Sequence, residues 1–169
     1  MKVILFNLLL LLLLSCDRIP VKLDEKSILF QEDSLNKTII VDPNSKNHFF
    51  QRLNENYKYG IGYTYQLNDN DAKNGLTFVV KGKVRTNNIY SNGSIIIILS
   101  NNTEQTHWIP NNLKYHIVDL NSWNWFYDSI NLPKSTKEYP YNKIFVQTAL
   151  GDSKSENFDL DSLKFVIKK

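Results

Sequence analysis

Few side chains in this sequence are of the types that carry chemistry, and their spacing narrows what they can do. Cysteine occurs once, at Cys16, so no internal disulfide can form. His48, His107 and His116 show no metal spacing of the H-E-x-x-H kind, and no second thiol completes a zinc set. No G-x-S-x-G elbow and no glycine-rich phosphate loop occurs; the six glycines are scattered. Asp159 and Asp161 lie two positions apart, which on a regular strand puts both carboxyls on one face. Acids so paired can split their pKa values and do acid–base work. Near neighbours at the end of a domain more often face solvent or steady a turn. No catalytic residue is therefore assigned, and a small envelope hydrolase is the least favoured reading.

Aromatic residues are the better lead, at 12% of the chain with three tryptophans. Sugar rings present apolar C–H faces that stack on flat aromatic surfaces, while their hydroxyls need fixed polar partners. Trp108 sits among Thr106, His107, Asn111 and Asn112, a polar loop setting suited to such a platform. Trp125 alternates with Asn124, as Tyr127 does with Asp128. The candidate ligand-binding residues are thus Trp108, Trp125, Asn111 and Asn112. Against this, tyrosines at period two more often line a buried sheet face, and Trp123 is expected in the core.

The N-terminus carries an address. Lys2 is followed by Val3 to Leu14, apolar except for Asn7. About 12 apolar residues span about 18 Å as a helix, short of a bilayer core near 30 Å. A secretory h-region fits better than a transmembrane helix. Leu13-Leu14-Ser15-Cys16 resembles the bacterial lipobox, in which a small residue precedes the cysteine that receives diacylglycerol. Leu14 stands where a smaller residue is more usual. The resemblance implies cleavage before Cys16, lipidation of Cys16 and a membrane partner reached through that lipid. Residues 1–15 are then a removed signal peptide, and 16–36 the lipidated cysteine and a polar tether. The protein is expected to be membrane-anchored and extracytoplasmic, at the periplasmic face or the cell surface. Its mature form would be Cys16–Lys169, 154 residues, enough for one domain with a good core. A formal charge of +3 gives no electrostatic case for nucleic acid.

From residue 37 onward the chain has strand period and turn punctuation. Thr38 to Val41 is a short β-branched run. Tyr57 to Gln66 and Leu76 to Arg85 alternate, as one-sided strands do. Ile95 to Leu99 is continuously apolar and suits a central strand. Lys114 to Leu120, Trp123 to Leu132, Asn142 to Leu150 and Asn157 to Lys168 complete the set. The alternation slips between Leu160 and Leu163, which predicts a bulge near Asp161-Ser162. His48 to Asn56 is expected to hold one or two helical turns at most. The fold class is all-β: a two-sheet antiparallel β-sandwich (jelly roll) of about eight strands over residues 37–169.

Three stretches resemble the galactose-binding-like jelly roll used by many bacterial carbohydrate-binding modules. These are Leu76 to Arg85 with Ile95 to Ile98, Trp123 with Ile130-Asn131-Leu132-Pro133, and Phe158 to Phe165. The resemblance implies a glycan ligand. It also implies a structural calcium ion, with Asp161 and, from the loop after the first strand, Asp42, Asn44 and Asn47 as oxygen donors. Ser162 departs from the second acid of that pattern, and Asp161 can equally bond backbone at the bulge. Two function classes stay open: a non-catalytic envelope module for a glycan, and a structural lipoprotein that docks an envelope protein through a sandwich face.

Overall fold

The computed structural model describes residues 23–27, 39–43, 45–101, 104–151 and 157–169. Cys16, the signal segment and Asn44 lie outside the described residues, and so does most of the tether. Ten strands are described: β1 (Leu23–Ser27), β2 (Ile39–Asp42), β3 (Ser45–Leu53), β4 (Tyr59–Gln66), β5 (Leu76–Thr86), β6 (Gly93–Asn101), β7 (Glu104–Asn112), β8 (Asn124–Leu132), β9 (Lys143–Leu150) and β10 (Phe158–Lys168). A short helix α1 (Asp69–Asn74) and a 3-10 turn (Leu113–His116) interrupt them.

All pairings are antiparallel. One sheet has six strands in the order β2-β3-β10-β5-β8, with β1 also paired to β10. The other has four, in the order β4-β9-β6-β7. The chain changes sheet between β3 and β4, β4 and β5, β5 and β6, β7 and β8, β8 and β9, and β9 and β10. That repeated crossing is the jelly-roll sandwich expected from the one-sided strands. Strand pairing begins at Leu23, inside the stretch read as tether.

The core lies between the sheets. Phe78, Val80 and Val84 of β5 and Leu160, Leu163, Phe165 and Ile167 of β10 meet Ile95, Ile97 and Leu99 of β6 and Ile144 and Val146 of β9. Alternation along each strand puts these side chains on one face. A buried polar tie crosses the core, where Thr148 donates to the Gln51 side chain. The predicted bulge is present: the β10–β5 register shifts between Asp161 and Lys164, and Ser162 takes a left-handed φ of 52°. It divides β10, whose first half pairs with β3 and whose second half pairs with β1.

Three expectations are corrected. Residues 48–53 belong to strand β3 rather than a helical turn. Lys114 to Leu120 is a 3-10 turn and loop rather than a strand. Trp108 stands on strand β7, not on a loop. Strand β7 is polar because it is the sheet edge with a wet outer face, where Pro110 is tolerated.

Candidate functional site

The outer face of the six-stranded sheet carries the richest chemistry. Its floor is acidic. Alternation aims Asp159 and Asp161 of β10 outward, yet both are buried, because longer cationic side chains close over them. Arg52 of β3 grips Asp159 with Nε on Oδ1 at 2.7 Å and Nη2 on Oδ2 at 2.9 Å. Arg85 of β5 adds Nη2 at 2.7 Å and Nε at 3.1 Å, both on Oδ2. The strand register dictates this clamp, since Asp159 pairs with Arg52 on one side and Arg85 on the other. The hydrogen bond to Asp159 raises the Arg52 pKa above its ordinary value.

Aromatic rings hold the guanidinium groups from the sides. Arg85 Cζ lies 4.4 Å from the Trp123 ring centroid and 5.1 Å from that of Phe50. Arg52 Cζ lies 5.3 Å from Phe50. Trp123 and Phe50 meet edge to face at 5.7 Å. Trp123 is therefore half-buried on the outer surface and not in the core between the sheets. Arg52, Arg85, Thr86, Asn87, Asn121, Asn157 and Asp159 line a polar cleft of about 320 Å³ there.

The same sheet face also carries an exposed aromatic edge. Trp125 and Tyr127 share the outer face of β8 and are 68% and 56% exposed. They stand about 7 Å apart along the strand. Lys83, the register partner of Trp125, places Nζ 4.8 Å from its ring centroid. Lys81 pairs opposite Tyr127 in the same way and is exposed.

The loop feeding β8 is fixed by one residue. Asn124 is buried, and its Oδ1 accepts from Val118 N and Asp119 N, each at 2.9 Å. Its Nδ2 donates to Asp119 O at 2.8 Å and Ser122 O at 2.9 Å. Asn121, at φ 61°, occupies the left-handed region that asparagine tolerates. Its backbone N–H donates to Thr86 O at 2.8 Å, which holds it at the rim of the cleft.

The predicted residues separate in space. Trp108 is 59% exposed but lies on the four-stranded sheet. There it forms a cross-strand row with Ile98, Phe145 and Thr64. The Phe145 ring covers Gly62, where any Cβ would collide with it. Asn111 turns toward the sandwich edge instead of joining Trp108, and donates to Asp128 Oδ2 at 2.8 Å. Asp128 also receives His116 Nε2 at 2.9 Å. Asn112 caps the 3-10 turn by accepting from Lys114 N at 2.9 Å.

Asp42 and Asp161 do converge, with His48 between them. Its Nδ1 lies 3.0 Å from Asp42 Oδ2 and its Nε2 3.2 Å from Asp161 Oδ2. Lys83 Nζ adds a second cation 3.8 Å from Asp161. The hydrogen bond to Asp42 is the main cause that raises the His48 pKa; Asp161 adds to it and partial burial opposes it. Calcium takes six to eight oxygen ligands. An imidazole and an ammonium at these two carboxylates do not fit that demand, and among the described residues no group of three or more His, Cys, Asp or Glu side chains is arranged to hold a metal ion.

Arg52, Arg85 and the cleft asparagines are functional candidates beyond those singled out from sequence. The available signal was the row Lys81, Lys83 and Arg85, which alternates with core positions of β5.

No protein-family model matches the chain, and no curated protein matches it. Among solved structures it is similar to the C-terminal CBM6 of the laminarinase LamC from Zobellia galactanivorans, with 9% identity, 86% of this chain and 100% of that chain covered, and a TM-score of 0.38. A carbohydrate-binding module of lichenase 5A from Cellvibrio mixtus, in complex with cellotriose, shows 11% identity over 85% of this chain and 96% of that one, with a TM-score of 0.39. Dimeric latent PorU from Porphyromonas gingivalis shows 8% identity over 91% of this chain and 13% of that one, with a TM-score of 0.44.

Proposed function

We propose that this protein is a non-catalytic glycan-binding module, held at the cell envelope by lipid on Cys16. The observation that carries the reading is the placement of exposed Trp125 and Tyr127 on the same sheet face as a polar cleft rich in fixed donors. Stacking on the two rings supplies apolar contact. The asparagine amides and guanidinium groups supply hydrogen bonds to hydroxyls or acidic substituents. Anchoring keeps the module beside its polymer, so even millimolar affinity acts at high effective concentration.

Hydrolysis is disfavoured by the state of the acids. Asp159 is committed to two arginines, and Asp161 faces His48 and Lys83. Neither is free to protonate a glycosidic oxygen or activate water. On the opposite sheet Trp108 is a second exposed ring, and it lines none of the four clefts at Tyr141, Arg85, Asn70 and Leu132.

The reading is tested by probing the full chain against an array of envelope, algal and plant polysaccharides. Saturable binding to a defined class supports it. Absence of binding to every polymer removes it. Lipidation is checked separately, by metabolic labelling with a fatty-acid probe that Cys16→Ala should abolish.

A further inference from the structure

We infer that the cleft at Arg52, Arg85 and Asn121 takes the acidic group of an anionic polysaccharide, a carboxylate or a sulfate ester, whose sugar rings lie on Trp125 and Tyr127. The inference rests on the glycan reading of this face and narrows its ligand.

Charge is the first reason. Two guanidinium groups share the single carboxylate of Asp159, so among the described residues the floor of the cleft keeps one net positive charge. The balancing carboxylate is buried beneath, and the cations are the groups that reach solvent. A neutral sugar would leave that charge unanswered.

Donor geometry is the second. Each arginine presents five N–H donors in a fixed plane. Each uses Nε and Nη2 on Asp159, and among the described residues no acceptor takes Nη1. Stacking on Phe50 and Trp123 holds both planes in place before any ligand arrives, which lowers the entropy cost of binding. Planar, bidentate recognition of oxyanions is what arginine does better than lysine.

The third reason is continuity. From the cleft, Lys83 and Lys81 run down β5 beside Trp125 and Tyr127. Cations and rings thus repeat together along one face at the two-residue period of the strand, so a chain lying on the rings stays within reach of positive charge.

The test uses the full chain and two matched polymer pairs, followed by tryptophan fluorescence. Dextran sulfate is compared with dextran, and polygalacturonate with its methyl-esterified form. The acidic member of at least one pair should bind about tenfold tighter, with the gap closing in about 1 M salt. Arg85→Gln leaves Asp159 bonded to Arg52 and should cost about tenfold on the acidic polymer. Asn121→Gly suits the left-handed turn and should cost about threefold. Lys137→Gln, an exposed control of equal charge change, should leave binding unchanged. Equal binding of both members of each pair overturns the inference and leaves the glycan reading standing. An equal loss in Lys137→Gln and Arg85→Gln also overturns it, as diffuse charge alone. If none of the four polymers binds, this inference falls, while the glycan reading is decided by the wider array.

Discussion

The Arg85 guanidinium lies 4.4 Å from the centre of the Trp123 ring while it donates to Asp159 at 2.7 Å. One side chain thereby joins the buried acid of β10 to the surface aromatic before β8. Removing the acid should undo both contacts. Asp159→Asn leaves two guanidinium groups crowded without their counter-ion, and a cost of about 2–3 kcal/mol is expected, below the range for a fully buried pair because both arginines are partly exposed. Urea unfolding measures it. A stability loss under about 0.5 kcal/mol would mean the clamp is a surface pair of little weight.

Asn124 should matter more than an amide usually does. Its four hydrogen bonds to backbone fix the loop that presents Asn121 and Trp123. Asn124→Ala leaves those backbone groups to find water and should cost about 2–3 kcal/mol. Asn124→Asp should be no milder, since it trades two donors for a buried charge. Thermal melts of the two variants against wild type decide this.

His48 makes stability pH-dependent in a definite direction. Its folded pKa is raised above the unfolded value by the hydrogen bond to Asp42 and by Asp161. The contribution is thus fully present below the unfolded value and is lost as pH rises through the folded one. The melting temperature of wild type should fall as pH rises from the ordinary histidine value through the raised one, and that fall should be smaller in His48→Gln. Identical profiles for the two proteins would show that the imidazole carries no linked charge.

The same residue bears on calcium. With His48 bonded to both Asp42 and Asp161, a chelator should leave the melting temperature unchanged. A clear drop on chelation, reversed by added calcium, would place a cation between these carboxylates.

Much of the sandwich is legible because its central strands face water on one side. Leu76 to Arg85 alternates cleanly, and the slip before Leu163 marks the bulge where Ser162 turns left-handed. Strands β3 and β7 are harder to read for different reasons. Strand β7 is an edge, so Glu104, Gln105 and Pro110 are tolerated there. Strand β3 carries Lys46, His48 and Arg52, and the acid that pairs with Arg52 lies 107 positions away. Trp125 could be singled out from local polarity alone. The cleft could not, because Arg52, Arg85 and Asp159 meet only through strand register. Asn111 and Asn112 looked like ligands for the same reason: sequence shows their amides but not the Asp128 side chain and Lys114 amide they bond.

The central claim is that Trp125, beside the arginine cleft, is the surface on which a sugar chain lies. Its most direct test compares Trp125→Ala with Trp108→Ala in affinity electrophoresis through gels containing the polysaccharide that wild type binds. Trp125→Ala should lose about tenfold in affinity with an unchanged melting temperature, while Trp108→Ala keeps wild-type retardation. Full retention by Trp125→Ala, or loss in Trp108→Ala instead, would contradict the account and move the binding surface to the opposite sheet.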